Sequence, residues 1–118
     1  MRLTHRIRRH ERGLRFRYGE LRAVLGSGTY RTLPTLWRSG RDEIEIVSAI
    51  DSVVQHDRLD ELLETPALRA ATMLVELGAS ERALVWKDGR VTSVLGPGRH
   101  ALWRPEPNEG TRLRLERV

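Results

Sequence analysis

The chain has no cysteine, which excludes disulfide staples, thiol nucleophiles and thiolate metal sites and leaves the redox compartment open. It has no apolar run approaching the ~20 residues that a membrane-spanning helix needs. The N-terminal stretch "MRLTHRIRRH" is basic, but no apolar core follows it, so it does not read as a secretory signal. Lysine is nearly missing: of 21 basic residues, only Lys87 is not an arginine. Arginine suits bidentate pairing with carboxylate or phosphate, although so skewed a ratio is equally what a codon bias produces. None of Ser27, Ser39, Ser48, Ser52, Ser80 and Ser93 lies in the strand-to-helix elbow of nucleophilic hydrolases. No pair among His5, His10, His56 and His100 has the i, i+4 spacing of a zinc site. The sequence therefore offers no active site, and no cofactor or metal is expected.

A chain of 118 residues makes one domain, or two very small modules sharing a core. At this size folding buries roughly 65% of the unfolded surface. The net charge of +5 is unevenly placed. Residues 1–22 hold eight arginines against Glu11 and Glu20, and residues 42–64 hold eight acids against Arg58. Such a dipolar chain suggests internal pairing or head-to-tail contact as readily as a polyanionic partner.

The strongest signal is an internal repeat. "ERGLRFRYGELRAVLGSG" at 11–28 and "ERALVWKDGRVTSVLGPG" at 81–98 share eight identities in eighteen positions at an offset of 70. Phe16 faces Trp86, Arg17 faces Lys87 and Leu21 faces Val91. "LWR" recurs at 36–38 and 102–104 after a shift of four, which places an insertion near "TLPT" in the first copy. Each copy ends in an alternating stretch, "DEIEIV" at 42–47 and "TRLRLERV" at 111–118.

The repeated unit reads as three strands joined by turns. Leu14 and Phe16 alternate with Arg15 and Arg17, the period of two that puts apolar groups on one face. The repeat then places Leu84 and Trp86 in equivalent interior positions. Asp88-Gly89 is a hairpin signal, because both residues tolerate positive φ, and the repeat extends it to Tyr18-Gly19. The remaining turn glycines are Gly26 and Gly28 in one copy and Gly96 and Gly98 in the other. Ile44 with Ile46, and Leu113 with Leu115, mark one face of a last strand. A leading strand, "LTHRIRR", precedes the first copy.

Between the copies the period becomes helical. Asp57 reads as an N-cap with Asp60 three residues on, and Thr65-Pro66 as a second helix start. Two short helices follow at about 57–64 and 66–73, then a strand, "MLVEL". The fold class is mainly β (α+β): two small antiparallel β units packed together, with a two-helix insert. The organisation is 1–50 as first repeat, 51–75 as strand and helical connector, and 76–118 as second repeat, in one compact domain.

Four features invite a functional reading. "GSG" and "GPG" follow strands, but a phosphate cradle needs a helix directly after it, and extended sequence follows both. His100 takes the place of Tyr30, so that position wants an amphipathic ring rather than a ligand. The acids Asp42, Glu43, Glu45, Asp51, Asp57, Asp60, Glu61 and Glu64 read as a solvated helix face and the outer face of a strand. Arg2, Arg6, Arg8, Arg9, Arg15 and Arg17 are candidate contacts for an anionic partner, whether nucleic acid or a membrane surface.

The stretch 81–103 resembles the opening of the stomatin, prohibitin and flotillin (band 7) domain, in particular that of bacterial slipins. The resemblance is carried by Glu81, Arg82, Leu84, Trp86, Gly89, Leu95, Gly96, Pro97, Gly98 and Trp103. Residues 5–75 resemble the additional copy of this hairpin, with a short helical segment, that some bacterial slipins carry upstream. Ser27 in place of Pro97 makes the first copy the less typical one. The likeness reaches only the start of the band 7 domain and none of its helical assembly region, so no assembly residue is carried over. What it implies is scaffolding: ring or cage assembly at a membrane, without catalysis. The leading expectation is a non-catalytic protein-interaction or scaffold module in the cytoplasm or at the inner membrane face. It would associate with itself or with a scaffold partner and take no small-molecule substrate. The alternative is an anionic-surface or nucleic-acid binder working through the arginine-rich N-terminus.

Overall fold

The computed structural model describes residues 3–32, 41–106 and 110–118. Among them are ten strands and two short helices. The strands are β1 (Leu3–Ile7), β2 (Glu11–Arg17), β3 (Glu20–Leu25), β4 (Gly28–Thr32), β5 (Asp42–Ser48), β6 (Thr72–Leu77), β7 (Ala83–Lys87), β8 (Arg90–Leu95), β9 (Gly98–Trp103) and β10 (Leu113–Arg117). The helices are α1 (Leu59–Leu62) and α2 (Pro66–Ala71). Arg2 and the "LWR" at 36–38 lie outside the described residues.

The chain divides into two compact units. The first takes the residues up to Ile50 together with Gln55–Ala71, and the second takes Asp51–Val54 with Thr72–Val118. So α1 and α2 belong to the first unit, while β6, placed with the connector on sequence grounds, belongs to the second. Asp51–Val54 joins the second unit through a bridge from Val53 to Leu102.

The repeat has five strands, not three. In the first unit β1 pairs with β4, and β3-β2-β5 form a sheet; in the second β6 pairs with β9, and β8-β7-β10 form a sheet. All these pairings are antiparallel. The turn residues Tyr18 and Gly19 have φ of 53° and 78°, and Asp88 and Gly89 have 53° and 82°. These left-handed pairs match the right-handed twist of a two-residue hairpin. Both hairpins carry a bulge at the same place, where the register shifts between Arg15 and Phe16 and between Val85 and Trp86.

The Glu-Arg pair that opens each copy closes a turn. The Glu11 carboxylate accepts from the Arg8 N–H at 3.0 Å, and that of Glu81 from the Gly78 N–H at 2.6 Å. Arg12 and Arg82 each donate to the preceding carbonyl, at 2.9 and 2.8 Å. Tyr30 Oη donates to the Gly26 carbonyl at 3.1 Å, and His100 Nε2 makes the matching bond to the Gly96 carbonyl at 2.9 Å. Tyrosine and histidine are interchangeable here because each carries a donor at the tip of a flat ring.

The helices are too short to hold themselves together. They are ordered by burial of Leu62, Leu63 and Leu68. Arg58, not Asp57, occupies the N-cap of α1, and no side chain caps it. Thr65 behaves as its position suggests, its hydroxyl accepting from the Leu68 N–H at 3.4 Å.

The two units weight the faces of their three-stranded sheets differently: both bury apolar residues on the inner face, which in the first unit holds Ile7 and Ile44 beside Gly13, and the first unit alone buries its outer face as well. In the first, Leu14, Phe16 and Leu21 are buried. In the second, the cluster is Val75, Leu77, Ala83, Val85, Leu95 and Leu102, with Val53, Leu113 and Leu115 packed against it. Leu84 and Trp86 are only half-buried, so the expectation that they repeat the interior role of Leu14 and Phe16 is corrected.

Candidate interaction surfaces

Cross-strand partners share a face of a sheet, and the pairing therefore defines two twin faces. The outer face carries Leu14 opposite Val24 and Phe16 opposite Leu21 in the first unit. In the second it carries Leu84 opposite Val94 and Trp86 opposite Val91. The edge strands bring Glu43 and Glu45 opposite Phe16 and Leu14, and Arg114 and Glu116 opposite Trp86 and Leu84.

In the first unit this outer face is covered by the segment around the helices. The Arg58 guanidinium stands 5.9 Å from the centre of the Phe16 ring. His56 Nε2 lies 3.1 Å from a Glu45 carboxylate oxygen. His56 Nδ1 accepts the Arg58 N–H at 3.0 Å, so Nε2 carries the proton given to Glu45. Helix α2 packs against β3. An open cleft of about 470 Å³ remains beside the cover, lined by Phe16, Gly19, Glu43, Ile44, Glu45 and Arg58. Arg58 also holds Glu61 in a two-pronged ion pair at 2.8 and 3.1 Å. That hydrogen bond and the neighbouring positive charge hold the Glu61 carboxyl below its ordinary value of 4.5, and Glu61 in return raises Arg58.

In the second unit the same outer face is bare. Val91 is 45% exposed and Val94 67%. Trp86 is clasped by its own edge strand: Arg114 stands 4.9 Å from the ring centre, and the indole N–H donates to Glu116 at 2.9 Å.

The inner faces differ in the reverse sense. Where the second unit packs Val85 and Leu113, the first has Arg15 and Asp42 at the matching register positions. Arg15 donates from Nε and Nη2 to the two Asp42 carboxylate oxygens at 3.1 and 3.2 Å. Asp42 is 3% exposed, so among the acids read as solvated this one is buried and paired. Ile44, matched by register to Leu115, is buried, whereas Ile46 is 42% exposed. A cleft of about 500 Å³ opens here, lined by Arg15, Arg17, Tyr18, Arg22 and Ala23.

Of the five candidate arginines among the described residues, Arg15 and Arg17 line this cleft. Arg22, the residue at the β3 bulge, joins them; the bulge is the signal that could have found it. Arg6 is exposed on β1, and Arg8 and Arg9 are exposed in the turn that follows. Gly19 and Gly89 stand in the hairpin turns and Gly26, Gly28, Gly96 and Gly98 at the β3–β4 and β8–β9 junctions; of the six, Gly19 lines the first cleft. No helix among the described residues is long and apolar enough to cross a membrane. Compared with protein-family models, curated proteins and solved structures, the chain finds no match.

Proposed function

We propose that the chain is a non-catalytic protein-interaction module of the scaffold type. The observation that carries this reading is the bare outer face of the second unit, whose twin in the first unit is covered. Val91 and Val94 left in water beside the half-buried Trp86 are favourable to cover and mark a contact site. The acids and bases that stand together are committed to one another: Asp42 to Arg15, Glu45 to His56, Glu61 to Arg58. Such pairs hold structure rather than wait for a substrate. The resemblance to the opening of the band 7 domain points the same way, towards assembly at a membrane.

A photo-crosslinking residue placed at Val94 of the full chain in its native cell tests this reading, with the buried Leu21 as control. Protein adducts at 94 and none at 21 are expected. Adducts at neither position, or at both equally, would contradict it.

The Arg15–Arg17–Arg22 cleft favours a second reading, the binding of an anionic surface or nucleic acid. It predicts affinity that falls steeply with salt. Arg17→Glu with Arg22→Glu should abolish binding to acidic vesicles or RNA at low salt. An unchanged signal removes the reading.

A further inference from the structure

We infer that the outer face formed by Leu84, Trp86, Val91 and Val94 is a docking site for a short, acidic, leucine-bearing amphipathic helix presented by another polypeptide. This rests on the interaction-module reading and specifies the partner's chemistry.

The first unit supplies the pattern. Its outer face, built on the same strands, bulge and turn, is covered by a helical segment with Leu62, Leu63 and Leu68 buried. The dimensions suit a helix. Three strands span two spacings of about 4.8 Å, roughly 10 Å in all, close to the breadth of one helix with its side chains.

Charge sets the partner's sign. By register, Arg41, Glu43 and Glu45 beside the first outer face correspond to Arg112, Arg114 and Glu116 beside the second. One arginine and two glutamates become two arginines and one glutamate, so the flank changes from −1 to +1. In the first unit the cover brings the donors, the Arg58 guanidinium over the ring and the His56 Nε2–H to Glu45. In the second unit the strand itself brings the cation over the ring, Arg114. An occupant has no need to supply a cation there, and an acid at the place of Arg58 would meet the Arg114 guanidinium. A leucine-bearing helix with acids along its flank is the chemistry that complements this face.

The test titrates the isotope-labelled full chain with a peptide of residues 55–71 carrying Arg58→Glu, and with the unaltered peptide, followed by NMR. Shifts are expected at Leu84, the Trp86 indole N–H, Val91, Val94 and Arg114. The altered peptide should bind about two- to five-fold more tightly, the worth of one exposed ion pair, and Arg114→Glu should reverse the order. Val94→Asp should weaken binding at least about ten-fold, while its exposure leaves the melting temperature unchanged. Shifts confined to Leu14, Phe16 and Leu21, or no shift at millimolar peptide, would overturn the inference. So would shifts of this face with protein concentration alone, which would make a second copy the occupant. If the peptide fails while the crosslinker at 94 still captures protein, the helix assignment falls and the interaction reading stands. If both fail, both fall.

Discussion

In the first unit Leu21 is 7% exposed; in the second, the residue at the same place in the same hairpin, Val91, is 45% exposed. Phe16 is buried and Trp86 is not, whereas Val85 is sealed and Arg15 reaches water. Two copies of one backbone thus differ in the outer side of the sheet, which the first buries and the second leaves largely open, while the inner side is packed throughout in the second and only around Gly13, Ile7 and Ile44 in the first. What the copies share is local: a left-handed turn pair, a bulge, a glutamate closing a turn, and a ring donor bonding a carbonyl four residues back. What they do not share is set by what lies on the sheet. A helical cover buries the outer face of the first, and the β6-β9 ribbon contributes Val75, Leu77 and Leu102 to the inner core of the second. The strand pattern is therefore insulated from the choice of core face.

Paired substitutions sharpen this contrast. Leu14→Ala removes a side chain 1% exposed and should cost about 2–5 kcal/mol. Leu84→Ala at the twin site should cost about 1 kcal/mol or less, because that side chain is only half-buried. Denaturant melts of both variants check this, and equal losses would break the comparison.

The inner face gives a smaller effect. Asp42→Leu leaves Arg15 without its carboxylate and should cost about 1–2 kcal/mol, limited by the partial exposure of Arg15. Adding Arg15→Val installs the second unit's apolar residue types at both places and should recover most of that loss. A double variant worse than the single one would show that the two inner faces are not equivalent.

The shared turn predicts likeness. Gly19→Ala and Gly89→Ala, at φ of 78° and 82°, should each cost about 1 kcal/mol. Unequal costs, read from the same melts, would mean that the hairpins are held differently.

The smallest effect is electrostatic. The Glu61 carboxyl, held down by Arg58, should titrate below 4.5 in an NMR pH series. Its folded value is depressed, so its contribution to stability is present above the ordinary value and is lost as pH falls through the folded one. Arg58→Ala should return Glu61 towards 4.5. A Glu61 titration unmoved by that change would remove the pair's influence.

The hairpins were legible because their turns use residues with a stated φ preference. The repeat is written in the same residues. The choice of core face was not legible, because "ALVWK" is apolar on both sides: Ala83 and Val85 face in, Leu84 and Trp86 face out. With no polar alternation to decide, alignment with the polar-apolar pattern of "LRFR" pointed to the wrong side. The first strand's membership in the repeat was hidden because His5 stands where Val75 does, and only pairing with β4 and β9 makes them equivalent. Asp42 looked like one acid among many, since its partner lies 27 residues away. The arginine cleft was half legible: Arg15 and Arg17 alternate on one strand, but Arg22 arrives by a bulge that spacing does not announce.

Because the native chain has no thiol, single-cysteine variants can be labelled without background. Leu21→Cys and Val85→Cys in the folded chain should resist a thiol reagent, while Val91→Cys and Arg15→Cys react at rates approaching a free thiol. Equal rates for Leu21→Cys and Val91→Cys, with Val85→Cys as reactive as Arg15→Cys, would show that the two units bury the two sides alike.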